Sequence, residues 1–331
     1  MSRENRFSLW LDFVERGFLQ EKFGALLAQG AVNGATSNPA IFSAAITTSD
    51  AYKTQLASLE NQTTKEQYEA LAIADIKMAA ELLRATYDEG TDGYISIEVD
   101  PFLSGDTQGT IEEGQRLFAA INEPNVMIKI PATKAGYPAM RELMSRGISV
   151  NATLIFSPDQ ATQSLHALKE GSEMFDKNGG GRVDAVISVF VSRFDRLLDA
   201  RLKERGVATA QCGILNAAKI YNIIEQGSMP NIRTLFASTG VKGDTLPADY
   251  YVRELLAPHA INTAPLATIE AYKKSSSEEE MKLPMDASVI DDYFALLQSH
   301  GIVMDEVYDG LMQDGLKAFE ESFANMLEQL K

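Results

Sequence analysis

The sequence predicts an α/β fold, a single (β/α)8 (TIM) barrel over residues 1–331 with extra N- and C-terminal helices. Three observations support this prediction: short apolar runs alternate with longer amphipathic segments, eight of the short runs are strand-like, and no domain linker interrupts the series. Several runs are rich in Val and Ile with little polar alternation, which is typical of strands buried on both faces. The predicted strands are Ser8–Phe13, Ala31–Thr36, Tyr94–Val99, Val126–Ile130, Ile148–Ile155, Val183–Val189, Thr234–Ala237 and Ile261–Ala264.

The segments between these strands have the spacing of amphipathic helices. One is predicted to begin with a capping box of Thr64 and Gln67 and to stop at Gly90. Its apolar positions are Leu71, Ile73, Met78, Leu82 and Leu83. The last segment repeats the pattern with Leu316, Phe319, Phe323, Met326, Leu327 and Leu330. The polar stretch Lys273–Pro284 between them is interpreted as a surface loop.

A doubly wound parallel sheet is the main alternative to the barrel. Such sheets usually carry a glycine-rich turn directly after the first strand. No G-x-G-x-x-G pattern is present, and the run of three glycines at residues 179–181 precedes a strand instead of following one. The barrel is therefore the favoured interpretation.

Composition narrows the class of function. The chain has 30 basic and 46 acidic residues, a net charge of −16, which argues against nucleic-acid or anionic-membrane partners. The single cysteine, Cys212, excludes an internal disulfide framework and indicates a reducing compartment. The N-terminal residues do not resemble a secretory signal, and no apolar run reaches the ~18 residues of a membrane helix. We expect a cytoplasmic protein, a monomer or homodimer.

Polar residues cluster at the ends of the predicted strands. The carboxyl ends of the strands of a (β/α)8 barrel meet on one face, and that face carries the active site. Seven strands would therefore deliver a polar or charged group to one place, although any one of them alone could be a satisfied structural group. The residues concerned are Asp12, Thr36, Asn38, Glu98, Lys129, Asn151, Thr153, Ser188, Arg193 and Ser238.

Lys129 is the most unusual of these residues, because Val126, Met127, Ile128, Ile130 and Pro131 surround it. A cation is costly to bury there, and the neutral amine of a desolvated lysine is a nucleophile toward carbonyl groups. The structural alternative is a lysine that extends to solvent or pairs with a carboxylate. The neighbouring acids and hydroxyl groups favour a catalytic lysine.

The other candidates have plausible chemical and structural roles. Asp12 and Glu98 can transfer protons or pair with basic residues. The hydroxyl and amide groups suit a polyhydroxylated substrate, but Asn38 before Pro39 could simply cap a helix. Arg193, with Ser238 and Lys242, could bind a phosphate, although basic residues are more often solvated surface charges.

Metal chemistry has little support in the sequence. His166, His259 and His300 are far apart and match no common ligand motif. Glu98, Asp100 and Asp106 could hold a magnesium ion, but acidic loop residues are usually just solvated. We expect no metal and no cofactor, and Cys212 is interpreted as a small buried hydrophobic residue.

Two segments resemble the signatures of the transaldolase family. Gly34–Phe42 (GATSNPAIF) resembles its N-terminal signature, and Val126–Thr133 (VMIKIPAT) resembles the signature around its Schiff-base lysine. Further matches are LDFVERG, SIEVDP, VNATLIFS, ISVFVSRFD and ASTG, so that the resemblance covers most of the chain. It implies a class I aldolase-type barrel that transfers a dihydroxyacetone unit between phosphorylated sugars, in the pentose phosphate pathway, without a cofactor.

The resemblance also implies roles for individual residues. Lys129 matches the amine that forms the Schiff base, and Asp12 matches the base of carbon–carbon cleavage. Glu98, with Thr153 holding a water, matches the relay for dehydration and hydrolysis. The implied ligands of the dihydroxyacetone hydroxyls are Asn38, Asn151 and Ser188, with Thr36 shaping the site, and the implied ligands of the sugar phosphate are Arg193 and Ser238.

Two positions concern specificity. Phe190 stands where the related fructose-6-phosphate aldolases have tyrosine, which favours transfer over simple cleavage. Many members of the family have a second phosphate-binding arginine two residues beyond the serine matched by Ser238, but this chain has Gly240 there. Lys242 is the candidate replacement, as a point charge instead of a bidentate fork. The alternatives are a metal-assisted lyase, an aldolase that releases dihydroxyacetone, and a non-catalytic binding protein.

Overall fold

A computed structural model describes residues 7–227, 229–275 and 280–331. Eight parallel strands pair in chain order, and the eighth pairs with the first to close a barrel. The predicted (β/α)8 barrel is therefore confirmed. The strands are β1 Ser8–Asp12, β2 Gly34–Thr36, β3 Ile95–Glu98, β4 Val126–Pro131, β5 Val150–Ile155, β6 Ala185–Phe190, β7 Ile232–Ala237 and β8 Ala260–Ala264.

Helices follow the strands and cover the outside of the barrel. A π-helical turn, Leu19–Phe23, joins the first two helices, and a 3-10 turn, Asp50–Tyr52, precedes the fourth. The helices are α1 Arg16–Phe18, α2 Gly24–Ala28, α3 Pro39–Thr48, α4 Lys53–Ala57, α5 Thr64–Asp88, α6 Thr107–Ile121, α7 Gly136–Ser145, α8 Pro158–Lys177, α9 Ser192–Glu204, α10 Cys212–Gln226, α11 Tyr250–Glu254, α12 Leu266–Lys274, α13 Ala287–Ser299 and α14 Met304–Gln329. No described helix is both long and apolar enough to cross a membrane.

Three predicted strands begin two or more residues too early, at Ala31, Ile148 and Val183, and the strand predicted from Thr234 begins two residues too late. Ala31 and Ile148 are apolar, but their N–H groups donate to the carbonyls of Leu26 (2.9 Å) and Leu143 (3.0 Å). Each residue therefore completes the end of a helix, after a glycine with positive φ at position 30 or 147. β2 and β5 start only at Gly34 and Val150.

The start of α5 also differs from the prediction by one residue. Thr63 is the N-cap, and its box partner is Glu66, whose carboxylate accepts the Thr63 N–H at 2.8 Å. Gln67, the predicted partner, is buried and donates to the carbonyls of Leu59 and Gln62. Leu82, predicted to face the core, is 39% exposed. The predicted stop at Gly90 is confirmed, because it has φ +74° directly after the helix.

The extra C-terminal helices are α13 and α14. The apolar face predicted for α14 is confirmed at Phe319, Phe323 and Met326, which are buried. Phe323 packs edge-on against Tyr68, with ring centroids 5.3 Å apart. The extra N-terminal helix was predicted without bounds, and residues 1–6, which precede β1, lie outside the described residues. Part of the predicted loop Lys273–Pro284 also lies outside them, and the first two residues of that loop end α12.

The amino ends of the strands are closed by buried polar contacts. Arg233 at the start of β7 forms an ion pair with Asp92 before β3 (2.9 Å), and both side chains are almost fully buried. Ser8 at the start of β1 also donates to Asp92. Ionic groups this deep need such partners, and these contacts fill the lower end of the barrel. The carboxyl ends of the strands are where a cavity remains.

Candidate active site

A cavity of about 190 Å³ lies at the carboxyl ends of the strands. Its lining consists of Asp12, Thr36, Asn38, Ala40, Lys129, Ser188, Phe190, Arg193, Ala237, Ser238, Thr263 and Phe319. Most of the predicted site residues are therefore brought together. A larger groove of about 880 Å³ between α10, α13 and the start of α14 contains none of them. The smaller cavity is the candidate site, because active sites of barrel enzymes lie at this face.

Lys129 is on the inner surface of β4, 5% exposed. Its Nζ lies 3.5 Å from Glu98 Oε2 and donates to the carbonyl of Ser37 at 3.2 Å. The ring centroid of Phe319 is 5.6 Å from the same nitrogen, within the range of a cation–π contact. The Lys129 amine thus contacts a carboxylate, a carbonyl and an aromatic face, and Lys129 lines the cavity.

Glu98, on β3, is the register partner of Lys129. Burial raises the pKa of Glu98 to about 7, since the attraction of Lys129 only partly opposes desolvation and Asp12 adds repulsion. Neither carboxylate oxygen has a hydrogen-bond partner among the described residues. A carboxyl group that titrates near neutral pH and has free lone pairs is suited to general acid and base catalysis.

Asp12 ends β1 and lines the cavity, whereas Glu98 is not among the lining residues. Thr36 donates a hydrogen bond to its Oδ1 at 2.7 Å. Burial raises the pKa of Asp12, while Lys129 and the Thr36 hydrogen bond act in the opposite direction. The site thus has two carboxyl groups with raised pKa values facing one amine.

Three buried polar side chains connect the strands beneath the cavity. Ser188 donates to Asn151 Oδ1 at 2.6 Å, and Asn151 Nδ2 donates to Ser96 Oγ at 3.0 Å. Asn151 and Ser188 are both buried, but only Ser188 lines the cavity. Thr153 does not line it either, but its hydroxyl has no hydrogen-bond partner among the described residues. The structure therefore puts Asn151 and Thr153 behind the surface of the cavity.

Asn38 has the capping role that its sequence context allows, and it also lines the cavity. Its Oδ1 accepts the Ile41 N–H at 3.0 Å, and Pro39 follows at the first position of α3. This capping bond fixes the side chain at the rim, where its amide can still donate to a ligand.

Arg193 and Ser238 also line the cavity, at the start of α9 and directly after β7. The Arg193 guanidinium is 5.1 Å from the ring centroid of Phe190. Ser238 has φ +56°, a conformation unusual for a serine, and its hydroxyl lies 3.1 Å from that of Ser192. Lys242 is not in this cavity. It is exposed and lines a neighbouring cavity of about 170 Å³, together with Ser192 and Arg196.

Sequence analysis did not assign four of the lining residues to the site: Ala40, Ala237, Thr263 and Phe319. Thr263 is on β8, the one strand to which no polar residue was assigned, although Asn262 and Thr263 stand in that predicted strand. The rule that the carboxyl ends of the barrel strands carry the active site also predicts Thr263 as a site residue. Phe319 was identified only as an apolar position of the last helix, and its place above Lys129 depends on how that helix docks.

The acidic residues considered for magnesium do not form a ligand set. Asp100 Oδ2 instead contacts Lys65 Nζ at 2.5 Å. Within the described ranges no three His, Cys, Asp or Glu side chains are close enough together to hold a metal ion. Cys212 is fully buried, as predicted. The fold and the cavity define the class of protein: a (β/α)8 barrel with a lysine amine between two carboxyl groups at its strand ends.

Comparison with known proteins identifies the family. A sequence model of the Transaldolase/Fructose-6-phosphate aldolase family matches residues 9–330. A transaldolase of Campylobacter jejuni subsp. jejuni serotype O:23/36 (strain 81-176) is 47% identical over 332 residues, covering 98% of this chain and 99% of that protein. A transaldolase of Helicobacter pylori (strain P12) is 41% identical over 323 residues, covering 97% and 98%. The chain belongs to the Transaldolase/Fructose-6-phosphate aldolase family.

Proposed function

We propose that this protein is a transaldolase. It transfers a dihydroxyacetone unit from sedoheptulose 7-phosphate or fructose 6-phosphate to glyceraldehyde 3-phosphate or erythrose 4-phosphate, in the cytoplasmic non-oxidative pentose phosphate pathway. The observation that carries the proposal is the placement of Lys129: its amine lines the cavity and lies 3.5 Å from the Glu98 carboxylate.

Lys129 is the nucleophile in this proposal. Its proton passes to a neighbouring carboxylate, and the free amine adds to the ketone carbon of the donor sugar to give a carbinolamine. Glu98 supports this role, since a carboxyl group with a pKa of about 7 exchanges protons readily near neutral pH.

Glu98 then acts as the acid that converts the carbinolamine to the imine. It donates a proton to the departing hydroxyl group, which leaves as water, and the lysine nitrogen becomes a protonated imine. Glu98 acts as base when the imine is later hydrolysed. Glu98 and Thr153 could position that water between them, because their side-chain oxygens have no hydrogen-bond partners within the described part of the chain.

Asp12 is the base of the cleavage step. It takes the proton of the hydroxyl on C4, the C3–C4 bond breaks, and its electrons flow to the protonated imine. The aldose phosphate leaves, and the three-carbon enamine stays on Lys129. A second aldose phosphate enters, the enamine carbon adds to its aldehyde, and Asp12 returns a proton to the new hydroxyl. Retention of the three-carbon unit predicts ping-pong kinetics.

Substrate binding uses the remaining polar residues of the cavity. Asn38 and Ser188 bind the dihydroxyacetone hydroxyls directly, and Asn151 supports Ser188 through the 2.6 Å hydrogen bond. Arg193 and Ser238 bind the sugar phosphate. The guanidinium suits this role, because it can form two charge-assisted hydrogen bonds to a phosphate.

Borohydride trapping tests the proposal. The protein is incubated with fructose 6-phosphate, reduced, digested and mapped by mass spectrometry. We expect a reduced three-carbon adduct on Lys129 and no adduct in Lys129→Ala, with Lys219→Ala, at a partly buried lysine outside the cavity, as the control. A folded protein without an adduct on Lys129 would refute the Schiff-base mechanism. Product analysis without an acceptor then separates transfer from release of free dihydroxyacetone.

A further inference from the structure

A chain of hydroxyl groups runs from β8 to Asp12, and its first member, Thr263, has no assigned role. Thr263 Oγ1 lies 2.6 Å from Thr36 Oγ1, which in turn lies 2.7 Å from Asp12 Oδ1. Strand β1 pairs with β2 on one side and β8 on the other, so the two threonines come from both neighbours of the aspartate strand. Both threonines are at least 97% buried, and both line the cavity.

Counting hydrogens gives this chain a direction. Each threonine hydroxyl has one hydrogen, and an ionised carboxylate only accepts. With Asp12 ionised, the Thr36 hydrogen points to Oδ1. The contact between the two hydroxyls then requires that Thr263 donate to Thr36. Thr263 is itself fixed by Thr239, whose hydroxyl lies 2.9 Å from the Thr263 carbonyl and 2.7 Å from Asn262 Oδ1.

We propose that Thr263 is a positioning residue that keeps Asp12 Oδ1 occupied as an acceptor, through Thr36, so that Oδ2 takes and returns the substrate proton. This inference rests on the proposed role of Asp12 in cleavage. A proton on Oδ1 would have to be donated to Thr36, and both hydroxyls would have to turn. A proton on Oδ2 leaves the chain unchanged, so transfer there needs no rearrangement.

Other charges also act on Asp12, and the test must separate them from the hydroxyl chain. Lys129 on β4 and Glu98 on β3 face it, and Arg193 on α9 lines the same cavity. None of these side chains touches Thr263 through a hydrogen bond or ion pair in the described structure. A change confined to Thr263 therefore alters the hydroxyl chain and leaves the neighbouring charges in place.

Thr263→Val removes the donor at nearly constant volume, and Thr263→Ser restores a hydroxyl. We expect Thr263→Val to lower kcat by about three- to tenfold, the value of one hydrogen bond, with KM for the donor sugar within about twofold. The acid limb of kcat/KM should move to higher pH, because Thr36 then donates a weaker hydrogen bond to the carboxylate. Thr263→Ser should recover most of kcat and bring the acid limb of kcat/KM back to its position in the unmodified protein.

Thr234→Val is the matched control. Thr234 is a fully buried threonine on β7 whose hydroxyl has no hydrogen-bond partner among the described residues. This variant should keep both kcat and the pH profile of the unmodified protein. A shared shift in Thr234→Val and Thr263→Val would assign the effect to barrel packing and overturn the inference. An unchanged acid limb in Thr263→Val would also overturn it.

A double-mutant cycle identifies the route of the effect. If Thr263 acts through Thr36, then Thr36→Val and the double variant Thr36→Val/Thr263→Val should show the same kcat and the same acid limb. Additive losses would refute the chain. If the unmodified protein lacks transferase activity, the proposed function fails. If it is active, and Asp12→Asn is not, while Thr263→Val behaves normally, the positioning role alone fails.

Discussion

Lys129 Nζ and Glu98 Oε2 lie 3.5 Å apart on adjacent register partners of β4 and β3. At that distance the two groups form an ion pair without a close hydrogen bond, so the carboxylate keeps lone pairs for other partners. Both side chains are at most 7% exposed. The pair therefore combines mutual charge stabilisation with freedom to exchange a proton during the reaction.

The first prediction concerns Glu98→Gln. Glu98 has a pKa of about 7, so its acid form decreases as the pH rises from 6 to 8. In the unmodified protein, imine formation should become slower over that range. The variant should form the imine about 10²–10⁴ times more slowly and lose this pH dependence, because an amide does not titrate. Rapid quenching with borohydride measures the step, with the exposed Glu81→Gln as control. If Glu98→Gln keeps the pH dependence of imine formation, that dependence arises from another group.

The second prediction separates the two carboxyl groups. Asp12→Asn should slow carbon–carbon cleavage by about 10²–10⁴-fold while imine formation changes much less. Trapping of the intact donor sugar on Lys129 measures imine formation, and release of the aldose phosphate measures cleavage. The variant should accumulate the six-carbon adduct. Equal losses in the two steps would contradict the assignment of Asp12 as the cleavage base.

The third prediction concerns the phosphate group. Arg193 lines the active-site cavity, whereas Lys242 lines the neighbouring one. Arg193→Ala should raise KM for phosphorylated aldoses by about 10- to 100-fold, as loss of charge-assisted hydrogen bonds would. Lys242→Ala should have a much smaller effect. Steady-state kinetics with glyceraldehyde and its phosphate as acceptors show whether the loss depends on the phosphate. Equal KM changes in the two variants would support Lys242 as the replacement for the arginine missing at Gly240.

The fourth prediction concerns Phe190→Tyr. The phenolic hydroxyl would enter the cavity beside Arg193, 5.1 Å from the present ring centroid, where it can hold a water near the enamine. The variant should release more free dihydroxyacetone from fructose 6-phosphate relative to the amount transferred. Product analysis with and without acceptor gives the ratio. An unchanged ratio would mean that Phe190 does not control the choice between transfer and release.

The fifth prediction concerns stability and Asp195. This buried residue accepts hydrogen bonds from Gly213 N–H and the Tyr251 hydroxyl, both at 2.9 Å. Burial nevertheless raises the pKa of Asp195 to about 6, above its usual 3.8. Its contribution to stability is therefore fully present below pH 3.8 and is lost as the pH rises through 6.

Asp195→Asn should remove that pH dependence. The free energy of unfolding, measured with urea from pH 4 to 7, should fall with pH by up to about 3 kcal/mol more in the unmodified protein than in the variant. Asp291→Asn, which removes an exposed charge, should keep the slope of the unmodified protein. Parallel curves for Asp195→Asn and the unmodified protein would show that Asp195 titrates normally.

Local sequence signals predicted the barrel and most of its active-site cavity. The alternation of buried strands and amphipathic helices is a periodicity of neighbouring residues, and the rule of strand ends brings Asp12, Glu98 and Lys129 to one face. The same rule placed Asn151 with them. The rule does not distinguish a side chain that lines the cavity from one buried just below it. That difference depends on the hydrogen bonds that the side chain forms with neighbouring strands, as Asn151 does with Ser96 and Ser188.

The errors have identifiable physical causes. Ala31 and Ile148 were assigned to strands because their apolar character is the same whether they pack at a helix end or inside a strand. Phe319 was predicted to be buried, and it is, but its contact with Lys129 spans nearly two hundred residues of chain. No local pattern predicts which part of the barrel a C-terminal helix will cover.

The docking of α14 also has a consequence for the order of assembly. All eight strands are synthesised before this helix, because α14 follows β8 in the chain. Until Phe319 packs above it, the lysine amine would face solvent and any reactive carbonyl compound there. A newly synthesised barrel would therefore be most vulnerable to adventitious glycation during this interval, and the docked helix would restrict access to the amine to carbonyl compounds that fit the cavity.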